Sequence, residues 1–173
     1  MDVFEILNDK SIKKLEARKL IADSISDGTF SLTDFSGRAE ELKDRQTATF
    51  LEAIESVTGQ KDSRLDVEYL KFAEKYILSE NNSCKREASR IVGKMAHLYP
   101  DELGGAVEAL IKNTSDSGTV VRWGSACALA RIIVLERYRN SDLVNTVRDI
   151  YEAEQENGVR NQYAKALKRI KAI

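Results

Sequence analysis

One histidine, two cysteines and one tryptophan are the residues of this chain scarce enough to mark a chemical site. His97 lies in Met95-Ala-His-Leu-Tyr99 at the end of a helical stretch, with no Ser, Cys or carboxylate spaced to pair with it. It therefore reads as a satisfied or solvated side chain, not a base or ligand. Cys84 and Cys127 stand alone, without a C-x-x-C or a neighbouring His pair, so zinc binding is not expected. Both sit among apolar neighbours in helical segments and read as buried free thiols of a reducing, cytoplasmic compartment. Gly-rich phosphate loops, His-rich metal spacing and nucleophile motifs are missing. No catalytic residue, metal ligand, cofactor or small-molecule substrate is expected, and the chemistry left is that of a binding surface.

The residues that could build such a surface are Lys19, Arg90, Lys94, Arg131, Lys165 and Arg169, with Trp123 beside them. They share a register. A pattern of small and apolar residues begins at Cys84, Val121 and Val159, at spacings of 37 and 38 residues. With the first residue of each copy as position zero, position four is Ala88, Ser125 and Tyr163, and position five is Ser89, Ala126 and Ala164. Positions seven and eight are Ile91-Val92, Ala128-Leu129 and Ala166-Leu167, and position eleven is Met95, Ile132 and Ile170. Positions four, seven, eight and eleven fall on one face of a helix. Small residues at four and five allow a neighbouring helix close in, and larger ones at eight and eleven fill the space beyond. Lys13 to Ile25 aligns on the same face, and a weaker copy starts near Lys43 with Thr47, Phe50, Leu51 and Ile54, giving five copies.

Each repeated helix follows a second amphipathic helix and a polar turn. The expected pairs are 3–7 with 11–25, 31–42 with 43–57, 67–78 with 83–97, 102–111 with 119–135, and 142–154 with 159–173. Ser31 looks like a cap, Gly59 like a helix-terminating glycine, and Pro100 forbids continuation. The repeat thins between Gly28 and Arg45, where a kinked or shortened first helix is expected. A chain of 173 residues is one domain's worth, and one proline with nine glycines leaves few interruptions to helix. The N-terminus carries acids and opens no long apolar run, so neither a signal peptide nor a membrane span is expected. Neither member of a pair can hide its apolar face alone, so the pairs must stack.

The second-helix pattern resembles that of HEAT repeats, Val-Arg-x-x-Ala-Ala-x-Ala-Leu-Gly-x-Ile. Val121-Arg122, Ala126, Ala128-Leu129 and Ile132 fit it, as do Val159-Arg160, Ala164, Ala166-Leu167 and Ile170. The copy at Cys84 has Cys-Lys for Val-Arg, and the copy near Lys43 has Asp44 where a basic residue is usual. Armadillo repeats need three helices per unit, too many for this spacing, and the Trp, Gly and Tyr signature of TPR repeats is missing. The resemblance implies an all-α, right-handed α-α superhelix, a solenoid of about five HEAT-like hairpins in a single domain (1–27, 28–60, 64–98, 100–137 and 140–173). It also implies a scaffold or adaptor that binds a partner along the concave face lined by the second helices. At position one, HEAT repeats commonly bond to an acid or carbonyl of the preceding unit, which makes Lys85, Arg122 and Arg160 a structural ladder.

The second helices carry +2, −1, +3, +2 and +5, or +11 together, against −1 for the whole chain, which leaves −12 for the rest. Positions six and ten point away from the core-facing set and supply Lys19 and Asp23, Thr49 and Ala53, Arg90 and Lys94, Cys127 and Arg131, and Lys165 and Arg169. A basic inner groove with Trp123 near its middle, facing an acidic outer wall, is the expectation. Two readings of it stand. Either these charges are solvated and complement helix C-termini, or they attract an acidic peptide, a phosphorylated segment or nucleic acid. Trp123 is an exposed anchor or a packed core residue, with exposure favoured because position two lies outside the apolar set. Nucleic-acid binding is the alternative, since DNA alkylation-repair glycosylases share the scaffold. The near-neutral pI of about 6.0 and single Trp argue against it, and neither they nor the bilin lyases are resembled further.

Overall fold

A computed structural model of the protein describes residues 2–60 and 65–173, and every described element is helical. The helices are α1 (Val3–Asn8), α2 (Lys14–Ser26), α3 (Leu32–Ser36), α4 (Asp44–Val57), α5 (Val67–Glu74), α6 (Asn82–Met95), α7 (Gly104–Asn113), α8 (Thr119–Ile132), α9 (Asp142–Ala153) and α10 (Asn157–Arg169), with short 3-10 turns at Ala39–Glu41 and Pro100–Glu102. The expected boundary near residue 64 between the second and third units lies outside the described residues.

Packing runs in series. Helix α2 lies on α4, α4 on α6, α6 on α8 and α8 on α10, while α5, α7 and α9 each lie against the even-numbered helix that follows. The core is the seam between these elements. Cys84, Val121 and Val159 are all buried, and so are Ala88, Ser125 and Tyr163 four residues on. Starts are set locally where side chains can reach backbone donors. Asp2 and Glu5 form a capping box on α1, and the Asn81 carboxamide accepts from Ser83 and Cys84 N–H at 3.0 and 3.1 Å.

At the α6–α8 crossing two helix backbones come close. A Cβ built on Gly93 would stand 2.6 Å from the Ala128 Cα, and one on Gly124 would stand 3.2 Å from the Arg86 backbone. Each helix thus has a glycine where the other's backbone comes closest. Of the residues in close approach, Ala128 stands at a repeated position, whereas Gly93 and Gly124 stand at positions nine and three, outside the small residues expected at four and five.

The first half is built differently. Helix α3 holds five residues, begun by Ser31 accepting from Asp34 N–H at 3.3 Å and ended at Gly37, a poor helix former. Its short apolar side is supplemented by aromatic rings. Phe50 meets Phe30, Phe35 and Phe72 at centroid distances of 5.6, 4.5 and 5.5 Å. Helix α5 likewise stops at Glu74, short of the expected Leu78, and continues as turns that still bury Ile77.

Gly59 is not the helix-terminating glycine. Helix α4 ends through Thr58 in right-handed geometry, and Gly28, after α2, is the described glycine with left-handed backbone at φ 78°. The turn that follows Gly28 brings Phe30 N–H back to the Ser24 carbonyl at 3.0 Å, which requires that conformation.

Candidate partner-binding face

The even-numbered helices place the residues of positions two, six and ten along one side, and the structure treats those residues unequally. Lys19, Arg131, Lys165 and Arg169 are exposed, and none has a described carboxylate in ion-pair range. Arg90 and Lys94 are half-buried and already neutralised. Arg90 Nη2 and Lys94 Nζ both lie 2.6 Å from Glu55 Oε1. Arg90 Nη1 donates to Glu87 at 2.9 Å, and Arg86 Nε donates to the other Glu87 oxygen at 2.6 Å. On the far side Lys14 donates to Glu52 at 2.7 Å. The result is a chain of alternating charge across α2, α4 and α6 around the nearly inaccessible Glu87. Removing a carboxylate from such a site leaves its cationic neighbours uncompensated, so the network locks three helices together.

This corrects the expectation of a continuous basic groove. On α4 the residues in register, Thr49 and Ala53, are buried, and the neighbouring Glu52 and Glu55 turn toward α6 instead. The signal was in the sequence, because the repeated helix at 43–57 is the one with net negative charge. The missed residues are Glu52, Glu55 and Glu87. Exposed cations without a described ion pair thus lie on either side of this network, Lys19 on α2 and Arg131, Lys165, Lys168 and Arg169 on α8 and α10, and residues 157–173 hold five Lys or Arg and no acid. Glu68, Glu108, Asp149 and Glu152 are exposed acids carried by the odd-numbered helices α5, α7 and α9.

Trp123 is half-buried, not freely exposed. It packs against the core with the Arg90 guanidinium carbon 5.7 Å from its ring centroid. Its outer edge lines a cleft of about 420 Å³ between α6 and α10, floored by the first turns of α8. Arg86 and Arg90 form one rim, Glu156 the other, and Val120, Trp123 and Val159 the apolar floor. Val120 is 47% exposed, one turn before the indole.

The position-one residues divide in two. Lys85 Nζ donates to Asp116 at 2.6 Å, and Arg122 Nε donates to Glu154 at 2.9 Å while its Nη1 reaches the Asp116 carbonyl at 2.9 Å. Each acid belongs to the turn of the following unit, not the preceding one. Arg160 has no such acid among the described residues, and its guanidinium stands 5.0 Å from the Tyr151 ring centroid.

Local electrostatics bear this out in direction. The Lys85 hydrogen bond and the Gly118 N–H hold the Asp116 carboxyl below its ordinary value. Burial would raise Glu154, but hydrogen bonds from Arg122 and the Glu156 N–H outweigh it and leave the carboxyl lowered. Burial pushes the Cys84 and Cys127 thiols up to about 11, so both are protonated and weakly nucleophilic near neutral pH. His97 is exposed. No described helix is long and apolar enough to cross a membrane.

No family model, curated protein or solved structure matches the chain.

Proposed function

We propose that the chain is a non-catalytic adaptor of HEAT type, its helical pairs winding as a right-handed superhelix and its even-numbered helices presenting one face to an acidic partner protein. The observation that carries this reading is the division of the cations. Where Arg90 and Lys94 serve the fold, glutamates cancel them; Arg131, Lys165 and Arg169 have no carboxylate in ion-pair range among the described residues. Unpaired charge in one place raises the encounter rate with a partner of opposite sign and weakens with salt. Cys84 and Cys127 are free thiols and suit a reducing, cytoplasmic setting.

The test is charge reversal. A partner first captured on the wild-type protein is assayed against Arg131→Glu/Lys165→Glu/Arg169→Glu, with Lys71→Glu/Lys112→Glu/Arg148→Glu on odd-numbered helices as the matched control. Loss of capture in the first variant alone supports the proposal; equal capture by all three proteins rejects it. Binding to duplex DNA with a steep logarithmic dependence on salt would replace the protein partner with a polyanion.

A further inference from the structure

We infer that the Trp123 cleft is a docking site for a linear protein segment carrying an aliphatic or aromatic side chain next to a carboxylate, laid across α8 with the carboxylate toward α6. The inference rests on reading the even-numbered face as a partner-binding surface and names what that surface holds at one point.

Shape and apolarity come from the floor. Val120 and Trp123 are one helical turn apart and open to solvent on the same side of α8, with Val159 closing the space toward α10. A half-buried indole beside an exposed valine is a surface that gains when an apolar side chain displaces its water. The cleft volume of about 420 Å³ holds one large side chain and part of its backbone.

Polarity comes from the rims, which differ in sign. On the α6 side, Arg86 Nη1 and Arg90 Nε make no hydrogen bond among the described residues, while the other edges of the guanidiniums are held, Arg86 by Glu87 and more distantly by Glu52, and Arg90 by Glu87 and Glu55. Those glutamates do two things. They cancel the formal charge, and they fix both planar forks in place, so an arriving carboxylate does not have to order them. Stacking beside Trp123 holds Arg90 further. Across the cleft, exposed Glu156 repels a second acid and favours an amide or a cation. A segment with an acid on the α6 side of its apolar anchor and none on the α10 side therefore fits, and one that puts a cation on the α6 side does not.

Trp123 is the single tryptophan, so its emission reports this cleft without labelling. The probes are short tryptophan-free peptides, each with a terminal fluorescein. One places Glu-Asp before Leu-Leu, one replaces both acids by Lys, and one flanks the leucines with acids on both sides. The expected result is a saturable change in Trp123 emission with the first peptide, at a Kd below about 1 mM, matched by peptide anisotropy. The Lys peptide gives neither signal, and the doubly acidic one binds more weakly than the first. Val120→Asp, on an exposed site, weakens the first peptide about tenfold or more. Glu156→Lys brings the doubly acidic peptide level with it. Anisotropy without any emission change places the peptide elsewhere and overturns the inference. So do equal binding of the Lys peptide, indifference to Val120→Asp, or no binding of any peptide. If the peptides fail while charge reversal at Arg131, Lys165 and Arg169 still abolishes partner capture, the broader reading stands and only this occupant is lost.

Discussion

The α6–α8 crossing and the region around α3 solve the same problem by opposite means. At the crossing, glycines, alanines and serines let two backbones approach until Gly93 and Ala128 leave no room for a methyl group. Around α3, where the first helix of the pair is only five residues long, Phe30, Phe35, Phe50 and Phe72 fill the volume that a longer helix would occupy. The first solution is repetitive and tolerates little added volume. The second is irregular and tolerates little removal. Stability should therefore respond to size with opposite sign in the two regions.

The largest effect expected is at Phe50, whose ring touches three others and is fully buried. Phe50→Ala should cost about 3–5 kcal/mol in denaturant unfolding, and more than the same change at half-buried Phe30. At the crossing the sign reverses. Helix propensity alone would make Gly93→Ala favourable by about 1 kcal/mol, yet the steric conflict should outweigh this and give a net loss of roughly 2 kcal/mol. Gly104→Ala is the control, since nothing stands within 4 Å of the added carbon, and it should be neutral or mildly stabilising. A stabilised Gly93→Ala protein would mean that the helices are not in such close contact.

Arg122→Ala should cost roughly 2 kcal/mol near pH 7, because it strips the partner from buried Glu154. The native Glu154 carboxyl is lowered from its ordinary 4.5, so this stabilisation is present above that pH and lost as pH falls through the native value. The gap in Tm between wild type and variant should therefore narrow on acidification below about pH 4.5; a constant gap would assign the loss to packing. Smallest is Gly28→Ala, about 1 kcal/mol, from forcing an alanine into left-handed backbone.

Much of the helical arrangement was legible because position four of every copy, Ala17 and Thr47 included, and position zero of the last three demand burial, which leaves a trace in residue type. Cys84, Ala88, Val121, Ser125, Val159 and Tyr163 all carry it. The site was less legible. Charges counted helix by helix hide which cations meet acids from a neighbouring helix, and the partners of Arg90 and Lys94 lie about 40 residues away in sequence. The direction of the Lys85 and Arg122 contacts was open for a related reason. A one-dimensional repeat does not say whether a side chain reaches forward or back, although Asp116 and Glu154 both stand five residues before position zero and so share a register. The retreat of Trp123 into a cleft depends on the approach of α6 and α10 from both sides, which its own helix does not encode.

Site-specific photo-crosslinking in cells tests the central claim most directly. A photoreactive phenylalanine analogue would be placed at Val120, Arg131 or Lys165 on the even-numbered helices, and at Glu108 or Asp149 on the odd-numbered ones, all exposed. The account predicts a discrete protein adduct from the first group and none from the second. Adducts from the odd-numbered helices alone, or no adduct from any even-numbered position, would contradict it.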